Sequence, residues 1–382
     1  MFADLDAADP LSGLREGFHL PNGVIYLDGH SLGALPMAVP LRMAQLLSKE
    51  WGRDLISSWW RNGWERLPRR VGERLEVLVG AEPGTMVATD STSVNWFKAV
   101  SAALELAGSR RVVLTDSGNF PTNLYVLGSL RDVDVRVVPP EEVVAATSSE
   151  VGVVALTHVD YRSGRRHDLA GITALVHSLG AIAVWDLSHS AGVMAVDLAR
   201  HRVDLAVGCG YKYLNGGPGA PAFIYVAPRH QERFRNPIAG WFGHAAPFDF
   251  SVEFVPAQGI ERARIGTPHI LSLAALDAAL EIFDGLDMSM VREKSVRMTS
   301  LFIDLVEGMP GFDVVTPRES GARGGHVSLR HPRAAELITV LAGAGIIGDF
   351  RPPDLLRFGF SPLYNRYGEV MQLGEALRAV GR

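Results

Sequence analysis

Short apolar runs alternate with stretches of helical spacing through the first two thirds of the chain, and that rhythm leaves few folds open. The runs are GTMVATD (84–90), RRVVLTD (110–116), VGVVALTHV (151–159), AIAVWDL (181–187), VDLAVGC (203–209) and PAFIYV (221–226). Each is too short for a helix and nearly continuous in its apolar residues, as in a strand covered on both faces. Between them, STSVNWFKAVSAALELAG (91–108) and LAGITALVHSLG (169–180) repeat apolar residues at helical spacing. The pattern predicts an α/β fold with a mostly parallel central sheet. Ligands in such sheets sit at the carboxyl ends of the strands. Those ends are polar here: Thr89-Asp90, Thr115-Asp116, Thr157-His158, Asp186 and Tyr211-Lys212.

The pattern changes after about Gly266. A long helical stretch (271–307) leads to short strands near GGHVSLRH and LLRFGF, with a helix between them. This predicts a smaller α+β domain at the C-terminus. The expected division is an N-terminal segment over 1–50 that packs with the small domain, a large domain over 51–265 and the small domain over 266–382.

Bulk properties remove several function classes. The net charge is −5 over 382 residues, with no long basic run, which argues against nucleic acid as a partner. No apolar run approaches the length of a membrane span. The acidic start MFADLDAADPL lacks the basic and apolar regions of a signal peptide. The single cysteine, Cys209, allows no intrachain disulfide and no cysteine metal cluster, and no His-Glu-x-x-His occurs, so no metal is expected. The expected location is the cytoplasm.

The chemistry centres on AVGCGYKYLNGGPGAPAFIYV (206–226), where a lone lysine, Lys212, sits at the mouth of two buried runs. An ammonium there is paired, exposed or chemically employed. Asp186, in VWDLSHSAG, precedes Lys212 by 26 residues, about one strand–helix–strand unit, so neighbouring strands would carry both to one sheet edge. Two readings stay open: a structural salt bridge, or a pyridoxal phosphate site. In the second, the lysine binds the cofactor aldehyde and the carboxylate keeps the pyridine nitrogen protonated. Ser91, Thr92 and Ser93, between a strand and a helix, are either a phosphate cradle or a plain hydroxyl N-cap. The glycine-rich turn is no Walker loop, because its lysine precedes the glycines. It is no dinucleotide fingerprint, because it leads into a strand.

Six segments then occur in order: VIYLDGHSLGALP (24–36), NFPTNLY (119–125), WDLSHSAG (185–192), YKYLNGGPG (211–219), GWFGH (240–244) and RFGFSPLY (357–364). Together, over nearly the whole chain, they resemble kynureninase, a fold-type-I pyridoxal phosphate enzyme of aminotransferase-like architecture. The resemblance implies hydrolytic cleavage of the Cβ–Cγ bond of L-kynurenine to anthranilate and L-alanine. It implies Lys212 as the cofactor-binding lysine, Asp186 at the pyridine nitrogen with His189 beside it, and Phe120 stacked on the ring. Ser91, Thr92 and Tyr211 would hold the phosphate, and Tyr211 would relay protons. Trp241 and Thr267 would reach the phosphate from a partner subunit, making a homodimer with shared sites. Arg357 would grip the substrate α-carboxylate as a bidentate fork, His30 and Ser31 would line the substrate site, and Trp64 would face the substrate's aromatic ring. Trp64 and Thr267 hint at preference for kynurenine over its 3-hydroxy form.

Three positions depart from the family pattern. His30 replaces the asparagine of DGNSLG, Asn123 replaces the aspartate of FPTD close to the cofactor, and His269 in GTPHI stands where a proline is usual. Neutral drift is one explanation, and altered chemistry or a modified substrate is the other. A desulfurase-like lyase is disfavoured because the only cysteine lies beside Lys212. A non-catalytic binding protein is disfavoured because Lys212 and Asp186 are both present.

Overall fold

The computed structural model describes residues 2–381. The apolar runs form a seven-stranded sheet. In chain order its strands are β1 (Met86–Ala88), β2 (Val112–Asp116), β3 (Asp134–Val138), β4 (Val151–Thr157), β5 (Ile182–Asp186), β6 (Leu205–Cys209) and β7 (Ala222–Val226). The spatial order is β1-β7-β6-β5-β4-β2-β3. Pairs from β3 through β6 are parallel, and β7 is antiparallel to both neighbours.

Strand periodicity splits each run between two cores. Val113, Val153, Val184, Leu205 and Ile224 face one side, where helix α2 (Thr92–Leu106) packs Trp96, Ala99, Val100 and Ala103. Leu114, Val154, Trp185, Ala206 and Phe223 face the other, with α1 (Leu67–Val79) and α4 (Leu169–Ser178). A Cβ on Gly72 of α1 would lie 2.3 Å from the Met86 carbonyl oxygen, so glycine lets that helix lie directly on β1. Strand β3 was not expected from the sequence, because its valines alternate with charged residues and form no continuous apolar run. It is the sheet edge, with Asp134 and Val137 exposed and Arg136 paired to Asp134 and Glu150.

The expected long helix over 271–307 is two helices. Helix α5 (Ile270–Ala279) sends Leu273, Ala274 and Leu276 into the core under the large sheet. The chain then breaks at Gly285, φ +73°, and Asp287 caps α6 (Met288–Val306) by accepting from the Ser289 amide. A four-stranded antiparallel sheet follows, in the order β8 (Asp313–Val314), β9 (His326–Arg330), β11 (Leu355–Gly359), β10 (Asp349–Arg351). Helices α6, α7 (Ala334–Gly343) and α8 (Tyr367–Val380) cover it, and Leu27 from the N-terminal segment joins their core.

The N-terminal segment ties the two sheets together. Ile25 and Tyr26 pair in parallel with Ile346 and Ile347, and Asp28 bridges to Gly359 at the end of β11. Five residues on, the Gly33 amide donates to the Tyr211 carbonyl at 2.8 Å. A Cβ on Gly33 would lie 2.4 Å from the Lys212 carbonyl oxygen, so only glycine allows this approach. The C-terminal sheet is thereby held against the carboxyl edge of the large one.

Candidate active site

Asp186 ends β5 with a buried side chain. Its Oδ1 accepts from the Ser188 amide and its Oδ2 from Asn123 Nδ2, both at 2.9 Å. It has no ion pair among the described residues, so Asp186 and Lys212 do not form a salt bridge. The partners of Asp186 are thus two neutral donors, which leaves the carboxylate able to take a cationic partner from outside the chain. Asn123, on α3 (Pro121–Ser129), has its amide fully committed, because the second Nδ2 hydrogen goes to Asn119 Oδ1 at 2.9 Å. Asn119 is itself oriented by donating to Thr115 Oγ1 at 3.1 Å. The sequence reading missed Asn119, although it opens the NFPTN motif.

Lys212 lies in the turn after β6, one strand over from Asp186. Its Nζ is 3.2 Å from His189 Nε2 and 5.8 Å from the Tyr211 ring centroid. His189 was expected to steady Asp186; it turns to Lys212 instead, and Ser188 and Asn123 steady the carboxylate. Burial, with Lys212 and His326 nearby, holds the His189 imidazole well below its usual pKa. It is a neutral partner for the lysine. Burial, with Cys209 and Asp186 nearby, pushes the Tyr211 phenol up, so its hydroxyl keeps its proton at neutral pH. Cys209 is buried with its thiol toward the Ser188 carbonyl.

The Ser91-Thr92 segment follows β1 and opens α2. Ser91 is the N-cap, with its hydroxyl accepting from the Val94 amide at 3.4 Å. The Thr92 and Ser93 amides have no acceptor among the described residues, as expected of a first turn open to an anion. Behind them, fully buried Lys98 donates to Asp90 Oδ2 at 2.7 Å and Asn95 Oδ1 at 2.8 Å, which fixes the loop entering the helix. Phe120, at the start of α3, is 42% exposed and meets Tyr161 edge-on, centroids 5.1 Å apart.

Arg357 comes from β11 and is buried. Its fork is already filled. Nε donates to Asp349 Oδ1 at 2.7 Å, Nη2 to Asp349 Oδ2 and to Ser31 Oγ at 3.1 Å, and Nη1 to the Tyr161 carbonyl. Ser31 donates in turn to Asp349 Oδ2 at 2.6 Å. Asp349 escaped the sequence reading, though it stands opposite Arg357 in the β10–β11 register. His30 is fully buried behind this cluster, stacked on His326 with centroids 4.8 Å apart, and His326 lies 5.8 Å from His189.

The remaining expected residues gather elsewhere in the chain. Trp64 donates its indole N–H to Glu50 Oε2 at 2.8 Å and meets Trp59 edge-on. Trp59 packs on Phe242, which packs on Trp241. Thr267 and His269 are exposed just before α5. Among the described residues, none of Trp64, Trp241, Thr267 or His269 has a hydrogen bond or ring contact with Lys212, Asp186 or Arg357.

The site fits pyridoxal phosphate: a buried carboxylate and a lysine just past the adjacent strand, neither of them in an ion pair among the described residues, share the carboxyl edge of the sheet with a helix start whose first amides have no acceptor there. Comparison with known proteins agrees. Residues 291–377 match the family described as the kynureninase C-terminal domain. The chain is 50% identical to the kynureninase of Deinococcus radiodurans over 98% of its length and 94% of that protein. It is 46% and 45% identical to those of Pseudomonas fluorescens and Burkholderia pseudomallei, with the same coverage of 98% and 94%. Among solved structures, C-DES with glycine covalently linked to its PLP cofactor matches with TM-score 0.82 at 17% identity, over 95% of this chain and 98% of that one. An apo cysteine desulfurase from Thermococcus onnurineus matches with TM-score 0.80 at 19% identity, over 96% and 97%. These structural likenesses establish the aminotransferase-like fold.

Proposed function

The chain belongs to the kynureninase family, so its reaction is the hydrolytic cleavage of L-kynurenine with pyridoxal 5'-phosphate as cofactor, and we propose that Lys212, Asp186 and Tyr211 carry it. The observation behind this assignment is that Asp186 is buried without a cation, one strand from a lysine without a carboxylate. When bound, the cofactor supplies an electron-withdrawing ring that stabilises negative charge at carbon next to the substrate nitrogen. Lys212 would hold it covalently, Asp186 would hold the proton on its ring nitrogen, and Phe120 would lie against its face. Ser91, Thr92 and Tyr211 would take the phosphate.

Once the substrate amine takes its place, Lys212 Nζ is the base that moves the Cα proton. His189 accepts a hydrogen bond from that nitrogen and turns it toward the site. Water adds to the γ-carbonyl, and its oxygen leaves in the anthranilate carboxylate. The three-carbon remainder takes one proton at Cβ, regains one at Cα through Lys212 and leaves as alanine. Tyr211, holding its proton at working pH, is the donor we assign to Cβ. Arg357 would receive the α-carboxylate.

We further propose a homodimer in which Trp241 and Thr267 serve the partner's site, with Trp64 in the same aromatic group. What supports this is exposed apolar surface around that group: Trp60 is 62% exposed, Ile56 73% and Phe250 77%. A cytoplasmic location is proposed from the lone cysteine, which can form no intrachain disulfide. No helix among the described residues is long and apolar enough to cross a membrane.

The test is a parallel assay of the cofactor-loaded protein on L-kynurenine and 3-hydroxy-L-kynurenine, following anthranilate fluorescence and alanine. The expectation is faster turnover of kynurenine, and loss of at least about a thousandfold in Lys212→Ala. Turnover of neither ketone, with the bound cofactor's absorption still shifting when an amino acid is added, would overturn the substrate and keep the cofactor site.

A further inference from the structure

Arg357 cannot take a second carboxylate with its hydrogen bonds as they stand. A guanidinium has five N–H groups. Asp349 holds one on Nε and one on Nη2, Ser31 holds the other on Nη2, and the Tyr161 carbonyl holds one on Nη1. A two-point grip needs two parallel N–H groups, and every such pair on Arg357 includes one already given. An incoming carboxylate displaces a partner: Ser31 and the Tyr161 carbonyl on the Nη1–Nη2 side, or Asp349 on the Nε–Nη2 side.

Asp349 does not stand alone. Asp28, which bridges to the end of β11, approaches the same place. The His30 ring lies against both carboxylates: Nδ1 is 3.4 Å from Asp28 Oδ1, and Nε2 is 3.9 Å from Asp349 Oδ1. Neither ring nitrogen of His30 nor Asp28 Oδ1 has a hydrogen-bond partner, and His30 is fully buried. Arg351 adds a second cation, 2.9 Å from Asp349. The ligand atoms of Asp28, His30 and Asp349 lie within 4.8 Å of one another. However, the carboxylates face opposite nitrogens of one ring, and two arginines already neutralise them. The group is arranged for a proton and not for a metal ion.

The charges sum as follows. His30 is neutral, because burial and the positive charge of Arg357 hold its pKa far down. With Asp28 and Asp349 ionised against Arg351 and Arg357, the cluster is neutral. A substrate carboxylate would leave it one negative charge in excess, which is costly in a buried site. We propose that the cluster answers this by taking up one proton from solvent: the substrate carboxylate joins Asp349 on Arg357, and the Asp28–His30–Asp349 group binds the proton that keeps the site neutral. The proposal rests on reading Arg357 as the carboxylate anchor.

Asp28 is the acceptor. Burial and neighbouring Asp349 push its carboxyl up to about 7, against Ser31, Arg357 and Arg351, which pull it down. The other groups facing it do not compete for the proton. Tyr26 on its own strand, Tyr213 beside Lys212 and Tyr364 beyond β11 are phenols pushed up by burial. His326, behind His30, is held down to about 3. A third carboxylate on Arg357 raises the joint proton affinity of Asp28 and Asp349 further.

The test uses the cofactor-loaded protein and kynurenine lacking its α-amine, 4-(2-aminophenyl)-4-oxobutanoate, which carries the carboxylate and cannot enter the reaction. Its binding is measured calorimetrically at about pH 8 in buffers of different ionisation enthalpy, which gives the protons taken up. The expectation is uptake approaching one proton per ligand, none with the corresponding primary amide, and none in Asp28→Asn with binding retained. Infrared difference spectra of the unaltered protein should show a protonated carboxyl appearing on binding. Binding without uptake and without that band overturns the proposal and leaves Arg357 as the anchor. If Arg357→Gln binds the probe as well as the unaltered protein does, the anchor reading fails, and the proposal with it.

Discussion

Asn123 donates its side-chain amide to Asp186 at 2.9 Å, where the family pattern has an aspartate. Its other amide hydrogen goes to Asn119 Oδ1, and both acceptors are buried. The asparagine thus fits two acceptors with two donors. An aspartate here would face two acceptors and could satisfy them only by keeping a proton or forcing Asn119 to turn.

Asn123→Asp is therefore expected to add a titration to the absorption of the bound cofactor between about pH 5 and 8, absent from the unaltered protein. Asn123→Leu keeps the volume and removes the donor, and kcat/KM is expected to fall about 10- to 100-fold. A spectrum of Asn123→Asp as flat with pH as that of the unaltered protein would remove Asn123 as the group that sets the charge state around Asp186.

Much of this site could be read in the chain because its parts are local. Asp186 ends β5 and Lys212 follows β6, its parallel neighbour, so adjacency in the sheet brings them together, although the connection over 187–204 is a loop and not the strand–helix–strand unit that the spacing predicted. The buried strands were legible because both faces pack, which makes their apolar runs continuous. The same logic hid β3, whose exposed edge carries Asp134 and Arg136 among its valines. The break at Gly285 was visible as a glycine followed by the cap Asp287, but apolar spacing on either side outweighed it. Asp349 and Tyr161 were out of reach for another reason. Each acts through a partner placed by tertiary contact: Asp349 through the β10–β11 register, and Tyr161 through its carbonyl on Arg357 and its ring on Phe120. Asn119 is different, since it meets Asn123 four residues on within one motif and was legible there.

The buried histidines make the fold sensitive to acid. Burial holds His30, His158 and His189 well below the ordinary imidazole pKa, and His326 down to about 3. Unfolded, each binds a proton near pH 6.5. Below that pH the unfolded state holds protons that the folded state refuses, so stability falls as pH falls. Each group contributes about 1.4 kcal/mol per pH unit. Asp28 runs the other way. Its folded pKa is raised to about 7, so it gains stability as pH drops toward the unfolded value and offsets one histidine. The net expectation below pH 6 is a loss of about 4 kcal/mol per unit, read from urea unfolding at pH 7, 6 and 5. His30→Asn should lessen that slope by about 1.4 kcal/mol per unit. Stability that rises from pH 6 to 5 would show that the imidazoles titrate normally and that Asp28 alone sets the slope.

The proposed sharing of sites between subunits has a quantitative consequence. Lys212 and Trp241 belong to separate groups of side chains in one chain, so a dimer that joins them across the interface needs each from a different subunit. Lys212→Ala and Trp241→Ala should each be poorly active alone. When the two variants are unfolded together and refolded, random pairing makes half the dimers mixed. Each mixed dimer holds one site with both changes and one with neither, so activity should return to about a quarter of the unaltered level. If both residues served the same site from the same chain, every site would keep one defect, and mixing would restore nothing. Size-exclusion chromatography with light scattering on the same samples confirms that dimers formed. Dimers without recovered activity would therefore count against the shared site itself and not against assembly.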